Sequence, residues 1–192
     1  MPRATTALGE PATEVRTFLF ADVRGYTRFT QEQGDEAAAA LVASLVTVAR
    51  QRIESRGGAI VEIRGDEVFA AFSSARQALR AAVELQQDLA AATQGDPSLP
   101  LTVGMGLDAG EAVRFEQGYR GSALNLASRL CSLAGAGEVL TTEAVVHLAG
   151  RTEGLEYVER GLADLKGFVD PVKVIEVSAA DTVAASRDSA AV

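Results

Sequence analysis

The stretch "VEIRGDEVFAAF", residues 61–72, predicts two short strands joined by a tight turn. Apolar residues, several of them β-branched or aromatic, stand on both sides, and Arg64, Gly65 and Asp66 are typical turn residues. Asp66 also stands four positions after Glu62, so the hairpin brings two carboxylates close together. Two acids at this spacing are expected to have separate roles.

Strands and helices alternate around this hairpin, which we predict over 59–72. The order strand, helix, hairpin, helix, strand predicts an α+β fold, a ferredoxin-like sandwich with helices packed on a mainly antiparallel sheet. We predict strands at 15–23, 138–142, 155–161 and 171–177, helices at 35–57, 74–91 and 122–135, and a second hairpin at 99–116.

The composition predicts one domain and excludes several classes of partner. A chain of 192 residues that is 47% hydrophobic can bury one full core. Residues 1–13 and 179–192 lack periodicity, so we expect mobile tails around a core domain at 14–178. A net charge of −8 with 18 scattered Lys and Arg argues against nucleic acid. No run reaches the roughly 20 apolar residues of a membrane span, and without an export signal we expect a cytoplasmic location.

Two aspartates are candidate metal ligands. Asp22 ends the first predicted strand and Asp66 lies in the hairpin turn, so neighbouring strands would bring both to one sheet edge. Paired carboxylates there suit hard divalent cations that also bind phosphate. Gly25 stands where a helix begins, and free backbone N–H groups at a helix start can bind phosphate oxygens. Alone, such an aspartate is more often a cap or a turn residue.

A second pair of polar residues lies in the predicted third helix. Asn125 and Arg129 are four positions apart and therefore share a helix face. The arginine carries a fixed fork of donors for phosphate, and the asparagine amide can bind a ribose. On its own, this pair is more often part of a solvated helix face.

Four segments together resemble the catalytic domain of the class III adenylate and guanylate cyclases. They are "FADVRGYTRFT", "IRGDEVFAAF", "GSALNLASRL" and "LADLKGFVDPVKVIEV". The resemblance implies the class III nucleotidyl cyclase fold and a head-to-tail homodimer with active sites at the interface. It also implies conversion of a nucleoside triphosphate to its 3',5'-cyclic monophosphate and diphosphate.

The resemblance also implies roles for individual residues. Asp22 and Asp66 would bind two Mg²⁺ or Mn²⁺ ions, with the Val23 carbonyl as a further ligand. From the other chain, Asn125 would orient the ribose and Arg129 would stabilise charge at the α-phosphate. Further residues implied to contact the phosphates are Gly25, Tyr26 and Thr27, and, from the same chain as Asn125 and Arg129, Lys166, which would hold the terminal phosphates.

Adenylate and guanylate cyclases of this family differ at the residues that contact the purine. Adenylate cyclases of this family usually have Lys at the position of Glu62 and Asp or another polar residue at that of Gly118, whereas guanylate cyclases have Glu and a small residue. Glu62 and Gly118, followed by Tyr119, therefore resemble the guanine-selecting version. Glu111 also departs from the family pattern, because many relatives have a basic residue there. GTP is the expected substrate.

Two alternatives stay open. One is an adenylate cyclase with an atypical purine pocket. The other is a catalytically silent, cyclase-like dimerisation module, which the presence of both carboxylates, the asparagine and the arginine disfavours. A diguanylate cyclase would show paired glycines in the hairpin. Two further residues are given no catalytic role: His147 is interpreted as a surface or packing residue and Cys131 as a buried apolar filler.

Overall fold

The computed structural model describes residues 13–116 and 118–180, in which strands and helices alternate. In chain order the elements are β1 (Thr13–Val23), α1 (Tyr26–Gln33), α2 (Asp35–Ser55), β2 (Ala59–Arg64), β3 (Glu67–Phe72), α3 (Ala75–Gly95), β4 (Val103–Phe115), β5 (Gly118–Arg120), α4 (Ser122–Leu133), β6 (Val139–Thr142), α5 (Glu143–Ala149), β7 (Leu155–Ala163) and β8 (Val172–Ala179).

Within the described ranges, the strands form one sheet in the order β2-β3-β1-β4-β6-β8-β7, and β5 pairs with the end of β4. β4 and β6 run parallel, and the other pairs are antiparallel. The predicted α+β fold with a mainly antiparallel sheet is confirmed. β1 lies between β3 and β4, which puts Asp22 directly opposite Glu67 on one side and Gly104 on the other.

Alternation along β1 separates two layers of the core. Leu19, Ala21 and Val23 pack in the larger cluster, which is shared with α2, α3 and α5. Phe18 and Phe20 point to the opposite face and pack with buried residues of β3 and α4. Asp22 continues this second series, so its side chain lies on the α4 face of the sheet.

α4 lies unusually close to β4. A Cβ atom placed on Gly106 would overlap the backbone nitrogen of Cys131 and the carbonyl oxygen of Ala127. Because the backbones meet without an intervening side chain, the height and rotation of α4 are fixed by the strand beneath it.

The predicted second hairpin at 99–116 is wrong. Residues 103–115 form the single strand β4, and the turn of the actual hairpin leads from β4 into β5. Gly104, Gly106 and Gly110 lie within this strand, and none has the positive φ that turn glycines adopt. They instead make room for Arg24, for the α4 backbone and for Ala123.

The other predicted elements are found, with shifted ends. The second long helix continues to Gly95, and α5 was not predicted. β1 begins at Thr13 and β8 ends at Ala179, one residue beyond the predicted core at each end. The predicted mobile tails otherwise lie outside the described residues. No helix in 13–116 or 118–180 has both the length and the apolar character needed to cross a membrane.

Candidate active site

The predicted carboxylate pair comes together at one end of the sheet. Asp66 lies in the turn between β2 and β3, and its side chain is within hydrogen-bonding reach of Asp22. Burial, followed by the charge of Asp66, raises the pKa of Asp22 from 3.8 to about 6. Two carboxylates held this close need a proton or a cation between them.

This donor set fits a hard divalent cation that arrives with a phosphate. In the part of the chain that the structure describes, no cluster of three or more Asp, Glu, His or Cys side chains surrounds the pair. Mg²⁺ commonly binds to proteins through one or two carboxylates and completes its shell with water and substrate phosphates. Asp22 and Asp66 could hold such ions, and Val23, the predicted carbonyl ligand, is the next residue after Asp22.

Arg24 is a neighbour of Asp22 that the sequence analysis missed. Its Nη1 donates a hydrogen bond of 2.6 Å to Asp22 Oδ2, and its Nη2 donates to the carbonyl oxygen of Cys131 in the last turn of α4. The available signal was the i,i+2 spacing, which puts Asp22 and Arg24 on the same side of an extended strand end.

A cleft of about 660 Å³ opens on the α4 face of the sheet, beside this pair. Its volume is within the range of small-molecule sites. The lining residues come from the β2–β3 hairpin, the β4–β5 hairpin and α4, and they include Glu62, Gly118, Tyr119, Asn125 and Arg129.

The cleft therefore brings together the predicted purine, ribose and α-phosphate residues. Asn125 and Arg129 are exposed, one turn apart on α4. The Tyr119 ring packs against Phe18, with 5.3 Å between ring centroids, so β5 is held against the sheet. Glu67, which the sequence analysis did not consider, also lines the cleft, and burial raises its pKa.

Among the described residues, Glu62 has one hydrogen-bond partner in the cleft. Its Oε1 accepts a hydrogen bond of 2.8 Å from Arg64 Nη2, and both side chains are exposed. The pair is open to water, so exchanging this contact for a ligand contact costs little. Gly118 leaves free space, because the nearest atom to a Cβ placed there is the Phe115 carbonyl oxygen at 3.9 Å.

The other predicted residues do not line this cleft. Asp22 and Asp66 lie next to it, and Gly25, with φ of 77°, caps the start of α1, where Tyr26 and Thr27 follow. Lys166 is exposed in the loop between β7 and β8. One chain thus presents two separate groups of predicted residues.

The structure agrees with the interpretations of Cys131 as a buried filler and of His147 as a surface or packing residue. Cys131 is buried under α4, and burial raises the pKa of its thiol to about 12, so it stays neutral and unreactive. His147 is exposed on α5. Glu111, the departure on β4, is exposed and lies outside the cleft lining.

A family model for the adenylate and guanylate cyclase catalytic domain matches residues 10–177. The chain therefore belongs to this family and carries a nucleotidyl cyclase catalytic domain.

The named curated relatives described here are adenylate cyclases. An adenylate cyclase of Streptomyces coelicolor is 32% identical over 133 residues, covering 69% of this chain and 34% of the relative. An adenylate cyclase of Anabaena cylindrica is 28% identical over 193 residues, covering 90% of this chain and 38% of the relative. The chain spans little more than a third of either relative's length.

Solved structures similar to this chain include both guanylyl and adenylyl cyclases. The guanylyl cyclase Cya2 superimposes with a TM-score of 0.76 at 25% identity, covering 87% of this chain and 93% of that one. The adenylyl cyclase CyaB from P. aeruginosa gives a TM-score of 0.78 at 25% identity, covering 88% and 95%. These similarities confirm the class III cyclase fold.

Proposed function

We propose that this domain converts GTP to 3',5'-cyclic GMP and diphosphate, as a head-to-tail homodimer with shared active sites. The observation that carries the proposal is the cleft, in which Glu62 and Gly118 share one space with Asn125 and Arg129. This arrangement offers purine, ribose and phosphate contacts in one chain.

The reaction needs positioning more than covalent help from the protein. The ribose 3'-hydroxyl loses its proton, its oxygen forms a bond to the α-phosphorus, and the bond from that phosphorus to the diphosphate oxygen breaks. Asn125 would hold the ribose in line for this attack, and the Arg129 guanidinium would stabilise the charge that develops on the α-phosphate.

The carboxylate pair would supply the metal sites. Asp22 and Asp66 would hold two Mg²⁺ or Mn²⁺ ions, and bound ions of this kind lower the pKa of the hydroxyl and neutralise the departing diphosphate. Lys166 and the free N–H groups at the start of α1, residues 25–27, would bind the remaining phosphate oxygens.

Two chains are needed to complete one site in this proposal. Asp22 and Asp66 do not line the cleft that contains Asn125 and Arg129 in the same chain. A second chain placed head to tail would bring its carboxylate pair to the first chain's cleft. The same operation builds a second, equivalent site.

Glu62 is the proposed determinant of the purine. An ionised Glu62 can accept hydrogen bonds from guanine N1–H and N2–H₂, whereas adenine N1 would oppose it with a lone pair. Gly118 removes the acceptor that would take the adenine amino hydrogen. Charge-assisted bonds of this kind contribute roughly 1.5–3 kcal/mol each, so we expect GTP to be preferred by about ten-fold or more.

An adenylate cyclase is the second candidate, and one contact favours it. Arg64 also lines the cleft and donates a hydrogen bond to Glu62, so its guanidinium is a donor that could reach adenine N1. The two curated relatives described above carry the name adenylate cyclase.

Turnover with GTP and ATP, measured side by side with Mn²⁺, separates the candidates. We expect a GTP kcat/KM at least about ten-fold above that for ATP. Cyclic AMP as the main product would establish the second candidate, and Asp66→Ala protein measures the background. If neither nucleotide is turned over above that background, the remaining interpretation is the catalytically silent dimerisation module.

A further inference from the structure

We propose that Arg24 is a positioning residue that holds the Asp22 carboxylate against the end of α4. The proposal rests on the metal-binding role proposed for Asp22. It concerns a residue outside the cleft and outside the predicted ligand set.

The planar guanidinium of Arg24 contacts two other residues, Asp22 and Cys131. Nη1 donates to Asp22 Oδ2 at 2.6 Å, and Nη2 donates to the Cys131 carbonyl oxygen. The backbone of Arg24 is itself fixed, because its N–H donates to the Thr102 carbonyl at 2.7 Å. A guanidinium bound at both ends keeps its plane and therefore fixes the carboxylate that it contacts.

The fold leaves space for this guanidinium at Gly104. The three atoms nearest to a Cβ placed on Gly104 all belong to the Arg24 guanidinium and would overlap with it. Gly104 does not have a positive φ, so its backbone conformation does not require glycine. The Arg24 side chain is only 23% exposed in this niche.

Asp22 needs such support more than α4 does. The Asp22 carboxylate faces the like charge of Asp66, which would turn it away from a shared cation. α4, by contrast, is already fixed by its backbone contact with Gly106. We therefore take α4 as the anchor and Asp22 as the group held in place, with Oδ1 free of the Arg24 contact.

A double-mutant cycle tests the niche without any activity measurement. Gly104→Ala should lower the midpoint of thermal unfolding in the wild-type background, because the new methyl group displaces the guanidinium. In the Arg24→Ala background the same change should have a much smaller effect. Equal effects in both backgrounds would overturn the proposed niche, whatever the protein catalyses.

Steady-state kinetics test the positioning of Asp22. Arg24→Ala should lower kcat at least about ten-fold and change the KM for GTP by less than about threefold, because the nucleotide contacts lie in the cleft. Arg28→Ala is the matched control, since Arg28, among the residues that the structure describes, pairs with Glu32 alone on the exposed face of α1. Arg24→Lys keeps the charge but not the planar fork, so full kcat in that variant would contradict the two-point attachment.

A mixed dimer, in which Arg24→Ala can be placed in either chain, distinguishes positioning of Asp22 from a general loss of structure. Mixing Asp22→Ala and Asn125→Ala chains should leave one intact site, in which the Asn125→Ala chain supplies Asp22. Arg24→Ala should reduce turnover much more in the chain that supplies Asp22 than in the chain that supplies α4. Equal losses in both placements would overturn the proposal. If the parent mixture is inactive despite subunit exchange, the shared-site model fails, and the two preceding experiments still decide the role of Arg24.

Discussion

At the scale of single residues, the Asp22 and Asp66 pair should weaken the metal-free fold. The pKa of Asp22 is raised from 3.8 to about 6, so between these pH values the folded state holds a proton that the unfolded state has released. The stabilising effect of that proton is full at pH below 3.8 and is lost as the pH rises through 6.

Asp66→Asn removes the opposing charge, so in EDTA at pH 8 it should raise the midpoint of thermal unfolding. The gain should shrink as the pH falls toward 4, where Asp22 is protonated in the wild type. Melting curves across this range check the prediction, with Asp170→Asn in the exposed β7–β8 loop as the control. An equal gain at pH 4 and pH 8 would contradict it.

The same substitution should remove most of the catalytic activity. Asp66→Asn replaces a charged oxygen ligand by a neutral amide. Losing this charged ligand should reduce the cyclisation rate by well over ten-fold at saturating Mn²⁺. Retention of more than about a tenth of the wild-type rate would argue against a metal-binding role. Greater stability together with lost activity is the pattern expected for groups retained for function.

Exchanging the two residues proposed to select the purine should reverse the nucleotide preference. Glu62→Lys with Gly118→Asp gives adenine a donor at N1 and an acceptor at its amino group, and both changes oppose guanine. The fold should tolerate both, because Glu62 is exposed and Gly118 has open space around its Cα. Cyclic GMP and cyclic AMP formed from equal GTP and ATP are the measurement, and an unchanged product ratio would exclude these residues as determinants.

Residues with recognisable motifs were predictable, and residues defined by distant contacts were not. Asn125, Arg129 and Glu62 stand in quoted motifs, and the structure places all three in one cleft. Arg24 also stands in a motif, but its partner Cys131 is 107 positions away. Nothing in the local sequence indicates that pairing.

At the scale of elements, glycine explains both the error and the accuracy of the prediction. In β4 the glycines are extended and serve close packing, whereas Gly65, with φ of 60°, is in the hairpin turn where the prediction placed it. A glycine used for packing and a glycine used for turning look alike in one sequence. Only neighbouring elements distinguish them.

The contact between α4 and β4 should be sensitive to a single methyl group. Gly106→Ala forces the helix away from the strand, and overpacking of this kind costs about 1–3 kcal/mol or more in the free energy of unfolding. Gly95→Ala is the matched control, because this glycine has open space and ordinary φ at the end of α3. It should leave stability unchanged or increase it by up to about 1 kcal/mol. Urea titration of both variants provides the comparison, and equal stabilities would show that α4 can shift without cost.

At the scale of the whole molecule, the proposed dimer should make specific activity depend on protein concentration. Val169 lies in the same loop as Lys166 and is 99% exposed, so a loop that reaches the partner's site would bury it. Val169→Glu should raise the concentration at which half-maximal specific activity is reached, because a buried charge without a partner is costly.

The control for that measurement lies on the other face of the sheet. Leu148 is 55% exposed on α5, which packs into the cluster opposite the cleft. Leu148→Glu should leave the concentration dependence unchanged. Specific activity that does not vary with dilution in any of these proteins, with a monomer at every concentration by light scattering, would contradict shared sites.

The pairing of β1 with β4 also affects how the chain folds. Thr13 is in register with Val113 and Val23 with Val103, so paired residues of these two central strands are 80 to 100 positions apart along the chain. Closing so long a loop is slow compared with forming the β2–β3 hairpin or α3. During synthesis, β1 can pair with β3 first, but its other edge stays open until the ribosome has released β4. We therefore expect a chaperone that binds exposed strands to act during this interval, before β4, β5 and α4 complete the cleft.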